Sequence, residues 1–343
     1  MNRTAPVLPA LVLILALALA GCGQNAGSEP SEPASPAGPE TFKNPVYDAN
    51  FPDPFVLRAG ETYHAYSTND AEANVPTLRS RDLVDWEEGK DAMPRLAPWV
   101  APGQTWAPEV LDLGGGYVLY YTAASAAEGR QCLGHAVSDS PEGPFVDRDE
   151  RPLVCQVREG GSIDASPFVD GDGTPYLLWK NDGNAVGRDT YIYSQKMSAD
   201  GLDLLGEPVR LFKQGAAWEG ELVEAPVMWR RGGEYYLFYS ANAYYNKSYA
   251  VGYAKCEGPL GPCEKAPENP ILRTGDGAVG PGHVAVVEDG AGGSWVAYHA
   301  WPPDAVGSVY PGRVLWIDRL TWKGDKPTIE GPTEGRQRAP APL

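Results

Sequence analysis

The sequence predicts an all-β fold, a five-bladed β-propeller. Three observations carry that expectation. The 343 residues include 40 Gly, 33 Pro and 18 Tyr, a composition suited to many short strands joined by tight turns. Five Gly-containing turns each lead into a short aromatic strand: GETYHAYS, GGYVLYYT, GTPYLLWK, GEYYLFYS and GGSWVAYH. Their aromatic pairs Tyr63/Tyr66, Tyr117/Tyr120, Tyr176/Trp179, Tyr236/Tyr239 and Trp295/Tyr298 recur at intervals of roughly 54 to 60 residues, in the range of propeller blades. Within each repeat an apolar strand, a turn and an aromatic strand make a hairpin. Later segments such as CLGHAVSDS and SYAVGYAKC supply further strands, four to a blade around a central channel.

The elements follow in chain order. Residues 1–22, MNRTAPVLPALVLILALALAGC, combine Arg3, an apolar run too short to span a bilayer and a small-residue end, the pattern of an export signal. Leu19-Ala20-Gly21-Cys22 resembles a bacterial lipobox, so Cys22 is expected to carry a lipid anchor that holds the protein on the extracellular face of a bacterial membrane. Residues 23–41, rich in Gly, Ser, Pro and Glu, bury too little apolar surface to order themselves and read as a tether. The propeller is expected over 42–333, and 334–343 form a C-terminal tail. The 43% of hydrophobic residues suffices for a large core. Cys132, Cys155, Cys256 and Cys263 form an even set, which in an oxidising compartment allows three pairings. The sequential pairs Cys132–Cys155 and Cys256–Cys263 are favoured, since each brackets a short strand or turn segment. A zinc site is disfavoured because neither pair has CxxC spacing.

A net charge of −17 argues against nucleic acid and against an anionic membrane surface as partners. Neutral sugars remain. Five related stretches, FPDPFV, WAPEV, DASPFV, EAPVMW and GPGHVAVV, stand where the innermost strand of each blade begins. Those strands line the axis, so Asp53, Glu109, Asp164, Glu224 and His283 are expected to converge at one end of the channel. Clustered like charges lose hydration and raise each other's pKa, so stability alone does not favour them, whereas catalysis does. Two carboxyls facing across a pocket, one neutral to protonate a leaving oxygen and one ionised to activate water, are the equipment for hydrolysing a glycosidic bond. No GxSxG elbow supports a serine nucleophile.

These stretches, extended to FPDPFVLRAGETYHAYST, TWAPEV, GGSIDASPFVDGDGTPYLLWK, VEAPVMWRRGGEYYLFYS and GPGHVAVVEDG with WVAYHAW, resemble glycoside hydrolase family 43 in order and spacing over residues 44 to about 330. The resemblance implies an exported five-bladed propeller that acts on arabinose- and xylose-containing plant polysaccharides with inversion. It implies Asp53 as general base, Glu224 as general acid and Asp164 as the acid that orients the donor and tunes its pKa. Glu219 and Glu221 lie close to Glu224, which alone has the EAP context. Trp106, Glu109 and Arg313 are expected to bind substrate, Trp106 by stacking on a sugar ring and Arg313 by reaching a hydroxyl. His283 matches an axial His that in many members sits near calcium or another cation, an indirect metal role; no cofactor is otherwise required. The expected activity is hydrolysis of α-L-arabinofuranosyl links, because GGSIDASPFVD and GPGHVAVVEDG look most like arabinan- and arabinofuranoside-cleaving members. A β-D-xylosidase on the same scaffold is the alternative. A non-catalytic sugar-binding propeller should lack at least one of the three acids, and all three are present.

Overall fold

The computed structural model describes residues 40–343, apart from Asp276. The expected signal segment with Cys22, and all of the tether but its last two residues, lie outside the described residues. Five small antiparallel sheets form a ring, the expected five-bladed propeller. The described residues hold no α-helix, only three short 3-10 turns at Val157–Glu159, Gly183–Val186 and Ala217–Glu219.

Each blade runs outward from the axis in chain order. Blade 1 is Phe55–Ala59, Thr62–Tyr66, Thr77–Ser80 and Glu87–Glu88. Blade 2 has three strands, Val100–Asp112, Tyr117–Ser125 and Gln131–Ser138, and isolated bridges from Val146 and Val154 take the place of a fourth. Blade 3 is Ser162–Val169, Pro175–Asn181, Tyr191–Met197 and Leu204–Lys213. Blade 4 is Val223–Arg231, Glu234–Ala241, Ala250–Cys256 and Cys263–Lys265, with Leu272–Arg273 also paired to its third strand. Blade 5 is Val279–Glu288, Ser294–Trp301, Val314–Lys323 and Lys326–Ile329.

The aromatic repeat lies on the second strands. Tyr63, Tyr66, Tyr120, Trp179, Tyr236, Tyr239, Trp295 and Tyr298 are all buried between sheets. Several carry their hydroxyl to a neighbouring blade, as Tyr63 does by donating to the Glu288 carbonyl (3.0 Å) and Tyr120 to that of Gly201 (2.6 Å). Aromatic residues serve here because their apolar bodies fill the wedge between twisted sheets while a polar tip finds a partner.

The segments flanking the expected propeller take part in it. Thr41–Phe42 pairs with Gln337–Arg338, Phe42 packs edge-on against Trp295, and the Leu343 N–H donates to the Arg81 carbonyl (3.0 Å). The tether therefore ends before Thr41, and 334–343 is a closing strap between the last blade and the first. Asn44 adds to the closure. Its amide donates to the Ile317 carbonyl (2.8 Å) and accepts the Ile317 N–H (3.0 Å). Both expected disulfides, Cys132–Cys155 and Cys256–Cys263, are present.

Candidate active site

The site is built by a backbone device repeated in all five blades. On each inner strand, or just ahead of it in blade 1, one non-glycine residue adopts a left-handed conformation: Asp53 (φ 53°), Ala107 (44°), Asp164 (58°), Ala225 (51°) and His283 (53°). In blades 2 to 5 this residue falls at a register shift of its own strand. Such bulges turn a side chain out of the pleat, at a cost on the order of 1–2 kcal/mol per left-handed residue.

The cost is offset by hydrogen bonds between blades. The Asp53 N–H donates to His299 Nδ1 (3.0 Å), that of Ala107 to Thr68 Oγ1 (2.9 Å), that of Asp164 to Thr122 Oγ1 (3.1 Å) and that of His283 to Ser240 Oγ (2.8 Å). Each acceptor lies at or just beyond the second strand of the preceding blade. In blade 4 the Ala225 N–H instead donates to Asp164 Oδ2 (2.8 Å). The same bond joins Asp164 to the chain carrying Glu224.

Asp53, Asp164, Glu224, His283, Trp106 and Arg313 line one cavity of about 760 Å³ at an end of the axis. Glu109 is not among them. The left-handed position of blade 2 belongs to Ala107, so Glu109 lies two residues farther along the strand, buried in the channel wall against the Ser166 hydroxyl. Burial foremost, with the nearby Asp164 charge, pushes its carboxyl well above the ordinary range, so it stands neutral. The structure thus places Glu109, expected to bind substrate, apart from the residues that line the cavity. Ala107-Pro108 aligns with Asp53-Pro54 and Ala225-Pro226, and that X-Pro register was the signal in the sequence that separates Glu109 from the others. Glu219 is fully buried and held by Lys265, Tyr239 and two backbone N–H groups, while Glu221 lies on the cavity rim.

Two charge environments share the cavity. Asp53 Oδ1 receives Arg313 Nη1 (2.7 Å) and lies 3.3 Å from Nδ1 of both His283 and His299, while Oδ2 accepts the Thr68 hydroxyl (2.6 Å). Burial opposes ionisation of Asp53, yet the Arg313 charge foremost, with His283 and the Thr68 hydroxyl, outweighs it and holds the carboxyl far below the usual range. Asp53 is therefore an anion throughout the working pH range. Burial and the Arg313 charge keep His299 neutral, consistent with an Nδ1 that accepts an N–H. Arg313 also lies over the Tyr244 ring, 4.8 Å from its centroid, so its partners are a carboxylate and an aromatic face within the cavity.

Across the cavity, Glu224 Oε2 accepts Lys180 Nζ (3.0 Å) and Oε1 accepts the Tyr249 hydroxyl (2.7 Å). Asp164 is pushed up to about 6, by burial first and by Glu224 and Asp53, against the opposing charges of His283 and Lys180. It thus gains and loses its proton near neutrality, where Asp53 does not. Tyr249 stacks on His299, with rings parallel to 3° and centroids 5.8 Å apart, and so ties the Glu224 side of the pocket to the Asp53 side.

His283 offers one imidazole, already shared with Asp53, and among the described residues no group of three or more His, Cys, Asp or Glu side chains is arranged to hold a metal ion. A cation beside His283 would take its other ligands from water or substrate.

Lys180, Tyr249, His299 and Thr68 were not among the residues expected from sequence. Lys180 and His299 each follow the second aromatic residue of their repeat, as Ser240 does, and that repeat position is the signal that marks them.

A propeller with an ionised carboxylate facing a second carboxyl across one cavity, and a third raised toward neutrality beside it, is the framework of a glycosidase. The sequence profile of glycosyl hydrolases family 43 matches residues 42–327, and the chain belongs to that family. It is 28% identical to a β-xylosidase of Bacillus subtilis over 87% of this chain and 58% of that protein. It is 24% identical to an extracellular exo-α-(1→5)-L-arabinofuranosidase of Streptomyces avermitilis over 91% of this chain and 67% of that protein. Among solved structures, a thermostable family-43 glycoside hydrolase superposes with a TM-score of 0.81 and 34% identity, covering 88% of this chain and all of the other. The chain spans 58% of the length of the Bacillus β-xylosidase and 51% of that of a putative β-xylosidase of Xylanibacter ruminicola, to which it is 26% identical.

The placement of Glu109 has a measurable consequence. A carboxyl held neutral in the folded state and free to ionise in the unfolded one makes stability fall as pH rises above about 4.3, the ordinary Glu value, toward its raised folded value. Glu109→Gln, which keeps the shape without the charge, should be more stable than wild type at pH 7 and equal to it below about pH 4, with hydrolytic activity retained. Denaturant unfolding at the two pH values checks this; a Gln variant that loses activity with intact stability would return Glu109 to the substrate site.

Proposed function

We propose that the chain is an exported hydrolase of α-L-arabinofuranosyl links in plant cell-wall polysaccharide, working by a single inverting displacement. The observation that carries the reading is the division of labour in one pocket. Asp53 is held as an anion by Arg313, fit to accept a proton from water. Glu224 faces it from the other side between a cation and a hydroxyl, fit to deliver one. Water attacks the anomeric carbon and passes its proton to Asp53. The Glu224 proton goes to the leaving oxygen as the glycosidic bond breaks and its electron pair stays with that oxygen.

Asp164 acts on the donor. It sits within the field of Glu224 and Lys180 and fixes the Ala225 N–H beside Glu224, so it sets both the charge and the backbone position of the acid. Trp106, on the cavity wall, offers an apolar face to the sugar ring. Arg313 serves Asp53 first, and its remaining N–H groups are free to meet a sugar hydroxyl.

The arabinofuranosyl reading rests on the GGSIDASPFVD and GPGHVAVVEDG stretches and is supported by the Streptomyces relative. A β-D-xylosyl reading is favoured by a different observation, the 28% identity to a β-xylosidase. Export with a lipid anchor at Cys22 is supported by the lipobox-like LAGC and by two disulfides, which persist in oxidising compartments.

Two experiments test this function. Purified protein should release 4-nitrophenol from the α-L-arabinofuranoside faster than from the β-D-xyloside, and the reverse order would select the xylosidase. Asp53→Ala and Glu224→Ala should each lower hydrolysis of linear arabinan by about 10²- to 10⁴-fold or more. The aryl substrate, with a leaving group that needs no proton, should rescue only Glu224→Ala. Equal rescue of both variants would reverse or remove the assigned roles.

The pH profile tests Asp164. Because Asp53 is ionised far below the working range, the acid limb of kcat/KM should fall near pH 6, the value to which Asp164 is raised. Asp164→Asn should lower the rate and abolish that limb. A limb that persists near pH 6 in the Asn variant would belong to another group.

A further inference from the structure

Blade 3 breaks the pattern that closes the ring. In blades 4 and 5 the residue after the second aromatic of the repeat, Ser240 or His299, accepts the N–H of the left-handed residue in the next blade. Blade 3 places Lys180 there, after Trp179. An ammonium has three donors and no acceptor, so it cannot take the Ala225 N–H, and Asp164 accepts it instead. Lys180 reaches the other way, donating to Glu224 Oε2 at 3.0 Å with Asp182 Oδ1 3.8 Å away.

Stability does not explain this choice. The Lys180 side chain is 0% exposed, and withdrawing an ammonium from water costs several kcal/mol even when it is paired. A serine makes the ring contact in blade 4 without that cost. What the lysine adds is an asymmetry between the two oxygens of Glu224. Oε2 faces a group that can only donate, whereas Oε1 faces the Tyr249 hydroxyl, which can donate or accept.

We propose that Lys180 is a positioning residue for proton donation by Glu224: by occupying Oε2 with a charged donor, it confines the transferable proton to Oε1. The proposal rests on Glu224 being the general acid. A carboxylic acid carries its proton on one oxygen and accepts at the other, so a proton on Oε2 would point at the ammonium and is excluded. On Oε1 it can rest against the Tyr249 oxygen, whose own hydrogen rotates away, until a leaving oxygen replaces it. As the glycosidic bond breaks, the proton passes from Oε1 to that oxygen, and the new carboxylate is met at once by Lys180. Solvent then returns a proton to Oε1 and takes the one held by Asp53, so the cycle balances. The ionisable groups that share this corner are Asp164, Lys180 and Asp182 of blade 3 and Tyr249 of blade 4, with His283 of blade 5 and Asp53 of blade 1 across the cavity.

The test compares wild type with Lys180→Met and Lys180→Gln in the full chain. The substrates are whichever 4-nitrophenyl pentoside the wild type cleaves and the matching disaccharide, α-1,5-arabinobiose or xylobiose, across pH 4–9. On the disaccharide both variants should lose about 10²-fold in kcat, within the range of general acid catalysis. On the aryl substrate, which needs no proton, the loss should stay within about tenfold of wild type. The alkaline limb for the disaccharide should also move to higher pH, since a carboxyl without a neighbouring cation keeps its proton longer. Lys180→Gln keeps a donor at the same place and decides the matter if the Met variant does not fold. Equal losses on both substrates with an unmoved alkaline limb would overturn the proposal and leave Lys180 a structural ion pair, with the hydrolase reading intact. A wild type inactive on every substrate would overturn the hydrolase reading itself, and this proposal with it.

Discussion

Each blade carries, on or just ahead of its inner strand, a residue in the left-handed conformation whose N–H is met by a side chain of the blade before it. The rest of the site depends on that ring of contacts. Left to themselves, the five inner strands would present alternating side chains to the axis at whatever register their pleat dictates. The left-handed turn rotates one residue per blade out of the pleat, and the bond to the neighbouring blade fixes where it points. Thr68 shows the economy of the arrangement. Its oxygen accepts the Ala107 N–H while its hydroxyl hydrogen goes to the Asp53 carboxylate, so one side chain holds two blades in register and supports that carboxylate.

Charge is partitioned across this ring. The Asp53 side carries the guanidinium of Arg313 and two imidazoles against a single carboxylate, and that carboxylate stays ionised. The Glu224 side carries three carboxyls, Asp164, Asp182 and Glu224, against one ammonium, and burial there leaves Asp164 poised to exchange its proton. Burial stays high on both sides, but the balance of partners is opposite. One pocket therefore holds an anion and a proton source together, as acid–base hydrolysis requires. The parallel stack of Tyr249 on His299 fills the seam between the two environments without adding charge.

Much of this was legible in the sequence, because the determinants are local and repeated. Aromatic pairs at blade spacing carried the fold, and acids beside the starts of apolar strands carried Asp53, Asp164 and Glu224 to the axis. Glu109 stands apart from the cavity lining because, although an acid near a proline looks equivalent to Asp53, the left-handed residue of that blade is Ala107, one residue before Pro108. Phase along a strand changes with a single residue, and counting acids does not resolve it. Lys180 and His299 escaped because a polar residue near the end of an aromatic strand carries no distinguishing pattern; the comparison with Ser240, at the same repeat position in blade 4, shows that they face the next blade. The strap formed by residues 334–343 has no pattern of its own, since its pairing with Thr41–Phe42 is set by the meeting of the two chain ends.

In the mechanism proposed, water activated by the ionised Asp53 attacks the anomeric carbon directly while Glu224 protonates the leaving oxygen. Proton NMR of the first-formed sugar, followed during hydrolysis and before mutarotation, tests it most directly. The product is expected to appear with the anomeric configuration opposite to that of the substrate. A first-formed sugar with the configuration retained would mean a covalent intermediate and a carboxylate nucleophile, and would contradict the assignment of Asp53 as a base.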